Sequence, residues 1–481
     1  MKSVCRAVAL ILALTGFAWV SPCTAVNPTT IYQFKGDDDG TWPYAGLLQY
    51  KGEFYGTTWK GGTANLGTIF KLSPPAQGQS AWTKTVLHHF LGSNPSWDGA
   101  YPMGGLIVGR DGAFYGTTSE GGRWGYGEVF RLEPPVNPQA GWLTYPIYSF
   151  CSSPRCGNGS YPGGSLLLGA DGALYGTTSK GGYAGDGGGT VFKLTHSDTY
   201  PYWTHTVIYY FCSVGVFSCV DGYHPMAELI ADNEGVLYGT TEYGGDNDSG
   251  TAFKLTPPAA GASAWTQTVL HSFCSNEFNN ICNDGAYPTS GLVFDTQRNL
   301  YGTTSAGGAC HDPVYGPCIG TVFKLTPPGN GTADWTQSVT HNFESGLSGS
   351  SPVAALIVDS QNNLYGTTQS GGAADTVYGS GLGTVFKLGP PHWDGTHRPL
   401  TVLTNFIPTN GGQITNIKPN GAVTLYQGAL YGTTAYGGIG GPASCINVEV
   451  AETGCGSIFK VPLGKGEPQI DERRPRIGWI P

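Results

Sequence analysis

Apolar and polar positions alternate along this chain in short runs. Each run is rich in Val, Ile, Phe, Tyr and Thr and is bounded by Gly, Pro or Asp. The run Gly320-Thr-Val-Phe-Lys-Leu325 is typical, and a two-residue period of this kind predicts strands. No stretch carries apolar residues at the 3.6-residue period of an amphipathic helix. Asp111-Gly112 and Pro327-Pro328 mark sharp reversals between runs. The pattern predicts an all-β chain.

The runs recur. Tyr-Gly-Thr-Thr begins at Tyr55, Tyr115, Tyr175, Tyr238, Tyr301, Tyr365 and Tyr431, at intervals of 60 to 66 residues. Each copy continues to a Gly-Gly pair, as at Gly61-Gly62, and then to a run like 320–325. A Pro-Pro pair usually follows, as at Pro257-Pro258. Next comes a segment from Trp to Phe: Trp82/Phe90, Trp142/Phe150, Trp203/Phe211, Trp265/Phe273 and Trp335/Phe343. A loop resembling Asp98-Gly-Ala-Tyr-Pro102, an apolar run such as Gly105-Leu-Ile-Val108 and an Asp-Gly turn lead back to the start. Four strands per unit and seven units predict a seven-bladed β-propeller over residues 29–461, with four antiparallel strands per blade. A β-solenoid would use shorter coils.

The apolar run is named strand a, Tyr-Gly-Thr-Thr strand b, the Thr-Val-Phe-Lys-Leu run strand c and the Trp-to-Phe segment strand d. Thr30-Ile-Tyr-Gln-Phe34 matches the end of a strand d, and Ser457-Ile-Phe-Lys460 matches a strand c. The N-terminal strand is therefore predicted to close the last blade, removing an unpaired edge. Strand a belongs at the crowded centre and strand d at the rim. The b-to-c and d-to-a loops then share one face, the upper, and the tight Asp-Gly turns and Pro-Pro loops share the other.

These motifs resemble the bacterial GloVer repeat family of choice-of-anchor tandem-repeat proteins, and more distantly the NHL-type propeller repeats. The resemblance covers residues 29–461. It implies an exported repeat protein, often with a sorting tail, and it supplies no catalytic residues. The tail at 462–481 departs from the family, being polar and Pro-rich with no apolar anchor.

The first 25 residues fit export. Lys2 and Arg6 precede an apolar run from Ala7 to Trp19, and Cys23-Thr24-Ala25 places small residues at a cleavage point. The run is too short to span about 30 Å of hydrocarbon, so no transmembrane anchor is expected. Val20-Ser21-Pro22-Cys23 makes a poor lipoprotein box because Pro precedes the Cys. Ten further cysteines fall into close pairs: Cys151/Cys156, Cys212/Cys219, Cys274/Cys282, Cys310/Cys318 and Cys445/Cys455. All sit in upper-face loops, and the pairing predicts local disulfides in a secreted or periplasmic protein. A zinc site is disfavoured by the absence of CxxC and Cys/His spacing. The net charge of -9 argues against a nucleic-acid partner, and no basic stripe appears in the sequence.

Searching for chemistry yields no GxSxG elbow, HExxH helix, P-loop or dinucleotide fingerprint, and no cofactor is expected. Gly185 to Gly189 reads as turn material. His88, His271 and His341 share one strand-d position with Tyr148 and Tyr209, which predicts packing with a polar tip. Asp39, Asp98, Asp221 and Asp284 recur in the d-to-a loops, with Asn158 and Asn410 equivalent. They are expected to form Asx turns bonding backbone two residues on. Asp37-Asp38-Asp39 and Asp246-Asn247-Asp248 lack the spacing and terminal Glu of a calcium loop.

Residues identical in every blade serve the blade, so a binding site is sought where copies differ. After Thr-Thr stand Trp59-Lys60, Ser119-Glu120, Ser179-Lys180, Glu242-Tyr243 and Ala435-Tyr436. Beyond the Gly pair come Arg123-Trp124, Tyr183, Asp246, His311, Tyr315 and Tyr378. Trp59, Lys60, Glu120, Arg123, Trp124, Glu242, Tyr243, Asp246 and Tyr436 are the candidate ligand-binding residues. Aromatics mixed with charges suit a glycan or peptide partner. A polysaccharide hydrolase or lyase would instead require two of Glu120, Glu242 and Asp246 to converge. A purely structural surface component is the third expectation.

Overall fold

A computed structural model describes residues 28–464 apart from 138–139, 183–186, 200–201, 214–218, 279–280, 310–318, 330–333, 345, 373–380, 392–397, 408–416, 438–444 and 448–451. Residues 1–27, where the export signal is expected, and 465–481 fall outside these residues. Seven four-stranded antiparallel sheets make up a seven-bladed ring. Their b strands are Glu53–Thr58, Phe114–Thr118, Leu174–Thr178, Leu237–Thr241, Leu300–Thr304, Leu364–Thr368 and Ala429–Thr434, defining blades 1 to 7. Within blade 1 the order is Leu48–Tyr50, Glu53–Thr58, Thr68–Ser73, Thr83–His89.

Thr29–Gln33 supplies strand d of blade 7. It pairs antiparallel with Ser457–Pro462, placing Thr29 opposite Lys460 and Gln33 opposite Ser457. The expected closure is present.

The repeated residues also join one blade to the next. The first Thr of each Tyr-Gly-Thr-Thr reaches out of its own sheet. Thr117 Oγ1 donates to the Gly164 carbonyl at 3.1 Å, Thr240 to Ser290 at 2.9 Å, and Thr433 to Ala45 at 3.0 Å. The second Thr stays within its blade, meeting the first residue of strand c, as between Thr58 and Thr68 at 2.8 Å. Neighbouring blades approach closely at Gly104, a position that holds Gly, Ala or Ser around the ring. A Cβ at Gly104 would lie 2.6 Å from the Gly164 carbonyl of the adjacent blade, so in this blade only glycine permits the approach.

Aromatic rings complete the joints. The Phe ending each strand d meets the strand-c Phe of the next blade edge to face. The pairs are Phe34–Phe70, Phe90–Phe130, Phe150–Phe192, Phe211–Phe253, Phe273–Phe323, Phe343–Phe386 and Phe406–Phe459, at 4.9 to 5.4 Å. Each such contact adds about 0.5–1.5 kcal/mol beyond the area buried. The strand-b Tyr packs on the strand-d Trp of the following blade, as in Tyr115–Trp203 at 5.8 Å. Blade 6 has no such Trp. Arg398 takes its place, 4.7 Å over the Tyr301 ring and donating to the Tyr301 hydroxyl at 3.0 Å.

Cys151–Cys156, Cys212–Cys219, Cys274–Cys282 and Cys445–Cys455 are disulfides. All four lie in d-to-a or b-to-c loops. Cys310 and Cys318 lie outside the described residues. Among the described residues no helix is long and apolar enough to cross a membrane.

Candidate functional site

The upper mouth is built on one backbone device used seven times. Each d-to-a loop ends in a residue followed by Pro, and that residue has a left-handed conformation. Trp42, Tyr101, Tyr161, His224, Tyr287, Ser351 and Lys418 have φ of 58°, 57°, 57°, 63°, 58°, 52° and 54°. Bulky residues rarely adopt this region. Hydrogen bonds hold it on both sides. The N–H of each residue donates to the preceding blade, as from Trp42 to the Cys455 carbonyl at 2.9 Å. Its carbonyl accepts from the residue after Thr-Thr in its own blade, as from the Trp59 N–H at 3.0 Å. Two side chains per blade are thereby mounted side by side.

The default occupants are Tyr and Ser. In Tyr101/Ser119, Tyr161/Ser179 and Tyr287/Ser305 the Ser hydroxyl donates back to the Tyr carbonyl at 2.9 to 3.1 Å. Blades 1 and 4 depart most. Blade 1 holds Trp42 and Trp59, stacked at 5.7 Å and 24°. Blade 4 holds His224 and Glu242, with His224 Nδ1 2.7 Å from Glu242 Oε2.

Around the Trp pair lie Tyr44, edge-on to Trp59 at 5.8 Å, and Tyr101 at 5.2 Å. Lys60 Nζ stands 4.7 Å over the Trp59 ring and 5.1 Å over Trp42. Trp42 and Tyr436 are only 4% and 6% exposed. They back the platform, with the Tyr436 hydroxyl 2.9 Å from that of Tyr44, while Trp59, Tyr44 and Tyr101 are half-buried. Beside His224, Tyr223 stacks on Tyr243 at 5.3 Å and Tyr243 meets Tyr287 at 5.6 Å. Arg123 lies 5.3 Å over Trp97 and 5.1 Å over Trp124, both strongly exposed. Lys180 covers Tyr161 at 5.2 Å.

The carboxylates do not gather. Glu120 is exposed on blade 2, close enough to Tyr101 and Tyr161 to add to the upward push that burial gives both phenols. Glu242 is engaged by His224 on blade 4, and Asp246 is exposed beyond it. Among the described residues no group of three or more His, Cys, Asp or Glu is arranged to hold a metal ion. Tyr183, His311, Tyr315, Tyr378 and Asn410 lie outside the described residues.

The loop Asp residues act differently from the Asx turn expected. Each reaches back to strand d. Asp98 Oδ2 lies 3.0 Å from His88 Nε2 and accepts the Leu91 N–H at 2.8 Å. Asp284 does the same with His271 at 2.9 Å and Ser275 at 3.0 Å, Asp221 with Tyr209 at 2.8 Å, and Asp39 with Tyr32 at 2.8 Å. Burial pushes the Asp284 carboxyl up, yet the His271 and Ser275 hydrogen bonds outweigh it and leave it below the usual carboxylate value. The shared His/Tyr position is thus the partner of the shared Asp, and together they clamp the loop. Asp39 is further occupied by Lys84 at 2.9 Å, which disposes of the 37–39 cluster as an open cation loop.

Blade 2 breaks the pattern again at Glu128, which stands where other blades begin strand c with Thr or Ser. It is fully buried and neither carboxylate oxygen makes a hydrogen bond. The Gly99 N–H lies near enough to favour the charged form, but only weakly. Burial, then the Asp98 charge, pushes the carboxyl well above its ordinary value.

Sequence reasoning found the residues after Thr-Thr and missed those before Pro: Trp42, Tyr101, His224 and Tyr287. The column preceding Pro, once per repeat, was the available signal. A separate cleft of about 710 Å³ opens on the lower face between blades 2 and 3, lined in part by Arg110, Arg131, Glu133, Tyr145, Tyr202 and Trp203. Arg131 there is saturated by Asp111, Glu133 and the Tyr115 hydroxyl, so the site is described at the upper mouth.

Fold and mouth define a seven-bladed propeller with an elaborated, disulfide-stapled upper face. The chain belongs to the Gloeobacter/Verrucomicrobia repeat family, which it matches over residues 19–156, 83–315 and 276–467. No curated protein matches it. Among solved structures it is similar to a Dyadobacter fermentans protein of unknown function, at 12% identity and a TM-score of 0.39, over 91% of this chain and 98% of that one. An ulvan lyase, described as a new family of polysaccharide lyase, aligns at 10% identity and 0.47, over 90% and 96%. An ancestral GH74 enzyme aligns at 10% and 0.47, over 90% and 52%. These are likenesses of fold.

Proposed function

We propose that the protein is an exported carbohydrate-binding propeller whose ligand lies across the upper mouth. The observation that carries this is the Trp59 platform, a half-buried indole backed by Trp42 and flanked by Tyr44, Tyr101 and Lys60. Rigid aromatic faces stack on the apolar faces of sugar rings, and neighbouring polar groups take the hydroxyls. The four disulfides agree with an oxidising compartment outside the cytoplasm. A glycan array with the full chain tests the reading. Binding should appear on the array and fall at least tenfold in Trp59→Ala; binding unchanged by that substitution would refute the site.

A second reading, an enzyme, has one observation in its favour. The His224–Glu242 pair fixes the imidazole through Nδ1 and directs Nε2 elsewhere, the arrangement of a general base. Reducing ends released from a polysaccharide by the parent chain and not by His224→Gln would support it. Equal release by both would remove His224 from the chemistry, and no release by the parent would end the reading.

A further inference from the structure

We infer that the ligand of the upper mouth is an acidic polysaccharide, one bearing carboxylates or sulfates along its chain. This rests on the reading of the mouth as a glycan-binding surface.

Three cations stand on three consecutive blades of this face, each laid over an aromatic ring. Lys60 on blade 1 covers Trp59, Arg123 on blade 2 lies over Trp97 and Trp124, and Lys180 on blade 3 covers Tyr161. Among the described residues none of the three forms an ion pair. Lys71, Lys84, Arg131, Lys193 and Arg298 are each paired with Asp or Glu; other cations among the described residues are unpaired too, and what distinguishes these three is their shared face and neighbouring blades. The formal net charge of the chain is -9, so three unneutralised cations in one arc run against the average.

An aromatic face positions a cation without neutralising it. The charge stays available to an anion, and less side-chain freedom is lost when one binds. Further rings stand beside the outer two cations, since Trp59 and Tyr101 are 5.2 Å apart and Tyr161 lies 5.7 Å from Tyr126. A neutral glycan can accept hydrogen bonds from these N–H groups but makes no use of their charge. An acidic glycan uses both elements. Glu120 holds the position in blade 2 that Lys60 and Lys180 hold in theirs, and it would repel such a chain. Its removal therefore moves affinity in the direction opposite to removal of a cation.

The test is affinity electrophoresis of the full chain in gels containing polygalacturonate, dextran sulfate or neutral dextran. Folding of each variant is checked by its thermal transition. Retention is expected in one or both acidic gels, which separates carboxylate from sulfate recognition. Lys60→Gln, Arg123→Gln and Lys180→Gln should each weaken it about two- to fivefold, the scale of an exposed charge contact. Glu120→Gln should strengthen it, and added salt should weaken it. Retention by neutral dextran that ignores all four substitutions would overturn the acidic class while leaving a glycan-binding mouth. Acidic retention that survives Trp59→Ala unchanged would mark ion exchange and overturn the inference. No retention in any gel, together with a blank glycan array, would remove both readings.

Discussion

The Phe34 ring meets the Phe70 ring edge-on at 5.3 Å, and in doing so fastens blade 7 to blade 1. Phe34 closes the strand that the N-terminal residues lend to the last blade, while Phe70 lies in strand c of the first. The same contact recurs at every other joint, so the seam is made of the same material as the rest of the ring.

Phe34→Ala should therefore cost as much as a truncation in mid-ring. Phe34 is 3% exposed and Phe150 is fully buried. Both substitutions should lower stability by about 3–5 kcal/mol. Urea unfolding of the two variants checks this, and a Phe34→Ala cost below about 1 kcal/mol would mean that the seam is dispensable.

Acid should destabilise the protein through two histidines. His205 is stacked on Tyr148 at 4.0 Å, His341 is half-buried on the next-but-one rim strand, and Nε2 of each is shielded from water and without a partner. Burial lowers both to about 4. The unfolded imidazole titrates near 6.5, so between those values the unfolded chain binds protons that the folded chain refuses. Stability present above about pH 6.5 is then lost as pH falls toward 4, by at most roughly 3 kcal/mol per histidine. Urea midpoints across that range should fall less steeply in His205→Gln and His341→Tyr than in the parent.

Glu128 works in the opposite sense. Its folded value is raised, so the folded chain keeps a proton that the unfolded chain releases above about pH 4.3. Its contribution is present at low pH and lost as pH rises. Glu128→Thr, which restores the residue used in most blades, should stabilise the protein at pH 7 by about 1–3 kcal/mol. The gain should shrink below pH 5. A loss of stability at pH 7 would show that Glu128 has a partner after all.

Reduction of the disulfides should loosen the upper face and spare the blades. Each bridge closes a loop of 10 residues or fewer within one connection, so it restrains that loop and little else. Hydrogen exchange should rise after reduction at Cys151–Cys156 and its counterparts, with the Tyr-Gly-Thr-Thr strands still protected.

The ring was legible because period, phase and closure all follow from residues repeated at fixed spacing. The clamp between strand d and the loop Asp was half legible. His88 and Asp98 were each seen as a column, but their contact is made across a loop, which no local rule joins. Glu128 was hidden by its setting. A Glu beginning an alternating strand reads as solvent-facing, and it is the preceding d-to-a loop, with Gly99 against its carboxyl, that lies over it. The mouth was missed where turn chemistry disguised it. Trp42 and His224 precede Pro in a loop, and such positions are read for backbone shape before side chain.

The left-handed mounts divide labour in a way that bears on how such a surface can change. Scaffold and vocabulary are separate: the backbone is spelled identically in all blades, while the two side chains it presents stay Tyr and Ser in three and are rewritten in the other four. Exchanging Tyr101/Ser119 for the pair found in blade 4 would rewrite one word on the dial without altering the instrument. A lineage carrying this ring could retune what it grips one blade at a time.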